Sequence, residues 1–346
     1  MTNTNVTGTV KPSRSMKAAY VERLGGLEEI CIGELPVPEL AADDVLVRVE
    51  AVAVDPVDAL IRSGRYRTPL PAFPFVIGRD LVGEVVGAGP AATGRFATGT
   101  RVWSNSLGYA GRQGPTAEYA AVPVERLYAV PDGVEATRMA ALVHPAATAH
   151  VGLVRHAGGV RPGDVVVVGG AAGNVGTCVS ELAVAQGAAV VALARPEDAE
   201  WCRRHGASAV VDYAAPDLRA ALQAAVFRLS PAGAQVWFDT SGRIDFELAV
   251  ETLGERATIV LVAAAPAPPP FPVLRFFQKS LRVSGFVITT ASLEELAAAA
   301  RSINALVAAG RLDLRVEHVL SLDQAAEAHR LVEQGVRGRV VMRVSS

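Results

Sequence analysis

The 346-residue chain is poor in cysteine, with only Cys31, Cys178 and Cys202. They are too few and too widely spaced for a disulfide framework or a four-cysteine zinc lobe, so a reducing, cytoplasmic setting is expected. No uninterrupted apolar run is long enough for a membrane span. The first fifteen residues, MTNTNVTGTVKPSRS, are polar and lack the apolar stretch of a signal peptide; they read as a flexible extension, with the fold beginning at Met16. Excess charge is missing too. A formal net charge of −2, with Lys and Arg scattered, leaves no basic stripe for nucleic acid. There is no internal repeat, and the prolines of AAAPAPPPFP (263–272) make it a loop or rigid connection. Apolar residues, by contrast, make up 50% of a chain long enough for two domains and a sizeable core.

The densest glycine cluster is VVVVGGAAGNVG, residues 165–176. Four β-branched residues in a row suit a parallel strand covered on both faces, and TCVSELAVAQGA, which follows, has helical spacing. Glycines between a strand and a helix remove the Cβ atoms that would hold backbone amides away from a ligand. The helix N-terminus then offers unpaired N–H groups and the positive end of a dipole. The expectation is a pyrophosphate cradle with Gly170, Gly173 and Gly176 as close-approach positions, and Asn174 where many such loops carry another glycine. A simple strand-to-helix turn is the alternative. The text that follows favours the cradle: GAAVVALAR, SAVVDY, AQVWFDTSG and RATIVLVAA read as strands separated by helical segments. That rhythm argues for a doubly wound parallel sheet with its ligand at the strand carboxyl ends.

From residue 30 to 130 the chain reads instead as short strands split by Gly and Pro, a β-rich domain. After residue 285, SLEELAAAARSINALVAAG and LDQAAEAHRLVEQG supply helices and RGRVVMRV a last strand. That part has no nucleotide motif and could return to the first domain.

Several segments together resemble the medium-chain dehydrogenase/reductase superfamily, in particular its zinc-free quinone oxidoreductase, zeta-crystallin-like branch. VDPVDALIRSGRY is similar to that branch's N-P-x-D-x-x-I-R-S-G-x-Y. FPFVIGRDLVGEVVGAG is similar to P-x-x-x-G-x-D-x-x-G-x-V-x-x-V-G, and AAGNVG, with Ala172, Gly173, Asn174 and Val175, to A-x-G-G-V-G. The resemblance spans residues 16–346. It implies an α/β protein in which a GroES-like β-rich catalytic domain (16–143 and 285–346) accompanies a Rossmann NADP-binding domain (144–284), with the active site in the cleft between them.

At the positions where zinc-dependent relatives place their metal ligands stand Asp55, Arg79 and His144. A guanidinium cannot ligate a cation and repels it, so no metal is expected; Asp55, Asp80 and His144 form the alternative set. Asp80 is expected to pair with a neighbour such as Arg79. The branch more often carries Asn where Asp55 stands. A carboxylate can take or give a proton, so Asp55 and His144 are a candidate acid/base pair, against the alternative of a screened Asp and a structural His before Pro145.

Cofactor choice is read at the tip of the second strand, ALARPED. An acid there binds a ribose 2′-hydroxyl, whereas Arg195 can grip a 2′-phosphate in a fork. NADP(H) is expected over NAD, with Tyr213 closing the same pocket by resemblance; a plain surface arginine is the alternative. The resemblance also implies that Thr148, Asp239 to Gly242 with Ser241, Val262 and Phe286 line the nicotinamide side, and that Arg339 lies near the pyrophosphate.

The leading functional expectation is an NADPH-dependent reductase of quinones or α,β-unsaturated carbonyls, with Tyr66 in RSGRY as a hydrogen-bond donor to the substrate carbonyl. The competing readings are a non-redox tailoring enzyme, such as a cyclase, with NADP bound, and a catalytically silent cofactor-binding protein. SLRVSGFVI (280–288) reads as the last strand of the parallel sheet, at an edge that invites a second copy, so a homodimer is expected.

Overall fold

A computed structural model describes residues 15–264 and 267–344; the extension 1–14 and residues 265–266 lie outside the described residues. By compactness the chain forms two units. One runs to Leu127 and takes in Leu320–Gln334 and the chain from Met342; the other comprises Tyr128–Val319 and Gly335–Val341.

The first unit opens with β1 (Ser15–Val21), β2 (Cys31–Pro36) and the long β3 (Asp44–Val54), then a short helix α1 (Pro56–Arg62). After it come β4 (Phe75–Val76), β5 (Asp80–Ala88), β6 (Arg101–Ser104) and β7 (Tyr119–Pro123). The sequence DVLVRVEAVAV makes β3 the centre of the sheet. Val45 to Val47, Val49 and Ala51 to Val54 are buried and only Arg48 and Glu50 interrupt the run half-exposed, the pattern of a strand covered along most of both faces. β3 pairs antiparallel with β5 on one side and β7 on the other, and β6 continues beyond β5. Gly83 of β5 is needed at a register shift in this pairing: a Cβ there would lie 2.2 Å from the Arg48 carbonyl oxygen. A smaller sheet joins β2, β1 and β4.

The second unit begins with β8 (Tyr128–Ala129) and the apolar helix α2 (Ala136–Val151), and then alternates strand and helix. β9 (Val165–Gly169), α3 (Asn174–Ala185), β10 (Ala189–Ala194), α4 (Ala199–Arg204), β11 (Ala207–Asp212) and α5 (Leu218–Leu229) form its first half. β12 (Ala234–Asp239), α6 (Phe246–Thr252), β13 (Leu253–Leu261), α7 (Val273–Gln278) and β14 (Arg282–Gly285) form the second, and α8 (Leu293–Ala308) follows. The chain closes through β15 (Val316–Ser321), α9 (Ala325–Glu333) and β16 (Arg339–Arg343).

The six strands β9–β14 lie in the order β11-β10-β9-β12-β13-β14, all parallel, and Val165–Val168 are fully buried. This is the doubly wound order, with its switch point between β9 and β12, where ligands of such sheets bind beyond the strand carboxyl ends. A GroES-like sheet unit and a Rossmann-type unit are the architecture that the motifs had implied. Among the described residues no helix is long and apolar enough to cross a membrane.

Candidate functional site

In the second unit the glycine turn sits where β9 ends. Gly170 takes φ +72, and a Cβ there would stand 2.6 Å from Thr240 Oγ1. At Gly176 a Cβ would fall 2.3 Å from the Gly170 carbonyl oxygen, so glycine is what lets α3 begin directly against the turn. Gly173 is the N-cap of α3 and brings no side chain to cap it, which leaves the amides of the first turn, from Asn174 and Val175 onward, to an external acceptor. Ala172 beside it is half-buried. A twelve-residue helix with this uncapped, glycine-lined start has the chemistry that a pyrophosphate requires.

The carboxyl end of the neighbouring β12 closes over the turn. Asp239 is buried, which pushes its carboxyl up, and the N–H groups of Gly242 (2.8 Å) and Ser241 (3.1 Å) with the Ser241 hydroxyl oppose that shift. Thr240 Oγ1 donates to the Gly169 carbonyl at 2.8 Å. Ser241 is thereby fixed at the surface of the switch point. The N–H of Val262 bonds the Asp239 carbonyl at 3.2 Å. Phe286, one residue past β14, stacks on His156 with centroids 4.1 Å apart, and Nδ1 of that ring is 2.7 Å from Ser284 Oγ. Thr148 is buried in α2, where its hydroxyl donates to the carbonyl of His144 at 3.0 Å; His144 is half-buried and precedes the proline inside that helix.

Arg195 follows β10 directly and Tyr213 follows β11, and because these strands are parallel neighbours their ends meet. Arg195 Nε donates to Tyr213 Oη at 2.7 Å, while its side chain stays more than half exposed at 57%. The nearby acids are shared with other cations. Glu197 stands 3.8 Å from Arg195 Nη1 but 3.2 Å from Arg337, and the buried Asp198 pairs with Arg337 (3.2 Å) and Arg315 (3.1 Å). Arg315 also lies 4.1 Å over the Trp201 ring. Sequence reasoning missed Arg315 and Arg337, since nothing local marks a partner well over a hundred residues away. Arg339 is buried, donates its backbone N–H to the Arg315 carbonyl at 2.7 Å, and is close enough to Cys178 of α3 to act on that thiol.

In the first unit Asp55 is the buried N-cap of α1 and forms a capping box with Asp58, whose carboxylate accepts the Asp55 N–H at 2.8 Å. Pro56 follows at the first helical position, where its missing N–H is harmless. Burial, and then the Asp55 charge, push Asp58 up to about 8, while Arg79 pulls the other way. Tyr66, half-buried, is anchored past the end of α1 by its N–H on the Leu60 carbonyl. The expected pair between Arg79 and Asp80 is not formed: both are fully buried, but the Arg79 guanidinium has no acceptor among the described residues. Asp80 begins β5, whereas Arg79 lies in the bend just before that strand.

With this geometry in hand, the relatives are informative. Residues 41–132 match the family model of the alcohol dehydrogenase GroES-like domain, and residues 174–304 that of zinc-binding dehydrogenases. The chain is 31% identical over 274 residues to an NADPH-dependent alkenal/one oxidoreductase of Arabidopsis thaliana chloroplasts, covering 77% of this chain and 67% of that protein. A mycobacterial quinone oxidoreductase superimposes with a TM-score of 0.82 at 28% identity, over 95% of this chain and 100% of the other. An NAD-dependent alcohol dehydrogenase superimposes with a TM-score of 0.83 at 31% identity, over the same shares. The chain belongs to the medium-chain dehydrogenase/reductase superfamily, in which it is similar to the quinone and alkenal/one oxidoreductases.

Proposed function

We propose that the protein is an NADPH-dependent reductase of quinones or α,β-unsaturated carbonyls that works without zinc and acts as a homodimer. The observation that carries the redox reading is the uncapped glycine turn at the sheet's switch point, in a chain similar to quinone and alkenal/one oxidoreductases. Gly170, Gly173 and Gly176 with the amides of Asn174 and Val175 hold the pyrophosphate, aided by Arg339. Thr148, Ser241, Val262 and Phe286 border the nicotinamide. Arg195, steadied by Tyr213 and with no acid at its own strand tip, favours the 2′-phosphate of NADPH over the hydroxyl of NADH.

Reduced nicotinamide, when bound, supplies a hydride. A C–H bond then forms at the carbon conjugated to the carbonyl, the π pair moves onto oxygen, and water protonates the α-carbon to give the saturated product. The protein's task is to bond the oxygen as it gains charge, and the Tyr66 hydroxyl is one donor for it. Asp55, buried and held by its capping box, is read as an acid/base group. Zinc suits this site poorly, because Arg79 is a buried cation that only donates.

The test is turnover with deuterium-labelled NADPH against quinones and enones. Label in the product is expected, and chelator should leave the rate intact. Tight NADPH binding without oxidation by any acceptor would remove the reductase reading, and unlabelled product would point to proton chemistry instead.

A further inference from the structure

Arg79 is fully buried, yet Nε, Nη1 and Nη2 all lack an acceptor among the described residues. A guanidinium has five N–H donors, and burying that charge with its donors unmet is costly. The buried Arg62 differs in one respect: its Nη2 bonds Glu333, although Nε and Nη1 have no acceptor among the described residues. The placement of Arg79 is not loose. Gly78 before it holds φ +96, where a Cβ would lie 2.5 Å from Thr116 Oγ1. The Arg79 carbonyl accepts the Leu107 N–H at 3.0 Å, and the Tyr109 ring lies 5.5 Å from the guanidinium carbon. A second unmet group stands nearby. Ser104, paired across β5–β6 with Leu81, is buried and its hydroxyl has no partner among the described residues. By the pleat, Ser104 shares the face of Leu81. The unmet guanidinium donors define a place for an arriving oxygen.

The oxygen is better neutral than anionic. Asp58 senses Arg79, Asp55 and Asp80 together, so carboxyl groups already lie in the neighbourhood of the guanidinium. A carboxylate ligand would add a further negative charge to this neighbourhood, whereas a carbonyl brings none until the reaction puts charge on it.

We propose that Arg79 receives the acceptor's carbonyl oxygen and holds the negative charge which that oxygen gains as hydride adds to the conjugated carbon. This rests on the reductase reading above. A charged fork stabilises such an oxygen more strongly than a neutral hydroxyl like that of Tyr66. The enolate is then protonated at carbon by water, and the guanidinium keeps its own protons throughout.

The test uses the full chain with NADP+, which cannot reduce, and cyclohex-2-enone carrying a 13C carbonyl. Its bound C=O stretch should move to lower frequency in the wild type, keep part of that shift in Arg79→Lys and lose it in Arg79→Met. With NADPH, kcat/KM for the same enone should fall about 100-fold in Arg79→Met, with NADPH affinity little changed. If Arg79→Met does not fold, Arg79→Lys decides through a reduced shift and rate. An unshifted carbonyl in the wild type, absence of enone binding, or a shift unaffected by substitution would each overturn the proposal. The two readings fail separately. An Arg79-dependent shift without NADPH turnover removes the reductase but keeps the carbonyl site, whereas turnover with an unaltered shift in the variants removes only Arg79.

Discussion

At the scale of single residues, two side chains carry separable tests. Arg195 has no acid at its own strand tip, and its Nε is already bonded to Tyr213 at 2.7 Å, so the fork is held in place before a phosphate arrives. Arg195→Ala should weaken NADPH binding by about 1 to 3 kcal/mol, as expected for a charged hydrogen bond, and leave NADH binding nearly unchanged. Fluorescence titration with both cofactors measures this, and equal loss for the two would refute the assignment. Asp58 offers a test through pH. Its carboxyl, ordinarily near 3.8, is pushed up to about 8 by burial and then by Asp55. The folded protein therefore holds a proton that the unfolded chain has released, and this group's contribution is present below the unfolded value and lost as pH rises toward 8. Asp58→Asn keeps an oxygen for the Asp55 N–H and cannot ionise. Relative to it, the wild type should lose stability with rising pH between about 4 and 8, by at most about 1.4 kcal/mol per pH unit, as read by denaturant melts. Parallel pH profiles for the two proteins would contradict the burial argument.

At the scale of elements, the cradle is where local sequence and tertiary packing agree. Gly176 lies within α3, where alanine is the better helix former by about 1 kcal/mol. A Cβ there, however, would stand 2.3 Å from the Gly170 carbonyl oxygen and 2.8 Å from the Ala171 Cα, both backbone atoms that cannot swing away. Overpacking of this kind costs about 1 to 3 kcal/mol, so the clash outweighs the propensity. Gly176→Ala should lower the melting temperature and weaken cofactor binding tenfold or more, by about 1.4 kcal/mol; a more stable, fully binding variant would mean that the turn is not a cradle. This element was legible because valine run, glycine turn and amphipathic helix are consecutive in the chain, and the doubly wound parallel class of the sheet followed from the same rhythm. The fate of Arg79 was not. Chain adjacency suggested a pair with Asp80, but Arg79 sits in a bend before β5, and only the packing of Leu107 and Tyr109 from a later loop reveals the unmet donors. Arg315 and Arg337 at Glu197 and Asp198 were hidden for a related reason, since an ion pair across such a distance in sequence leaves no local pattern.

At the scale of the whole molecule, the second unit's parallel sheet ends in β14, whose outer edge has no strand beside it in the sheet order. Exposed apolar side chains lie on β14 and on the helix just before it in the chain. Val273 (64% exposed), Leu274 (61%) and Phe277 (63%) lie on α7, and Val283 (44%) lies on β14 itself. Isolated apolar residues at a surface need no partner, but a cluster beside an open strand edge combines apolar area with unpaired backbone groups. A second copy would satisfy both at once: with two β14 edges paired about a two-fold axis, the α7 side chains of each chain would be covered by the other. Charge placed in this patch should break such an assembly without touching the glycine turn. Phe277→Asp combined with Val283→Lys is therefore expected to convert a particle of about twice the 36.0 kDa chain mass into one of the chain mass, with NADPH binding retained by each chain. Light scattering at micromolar concentration is the measurement. A wild-type mass near 36.0 kDa would count decisively against the dimer, and a dimer that survives both substitutions would place the contact on another face.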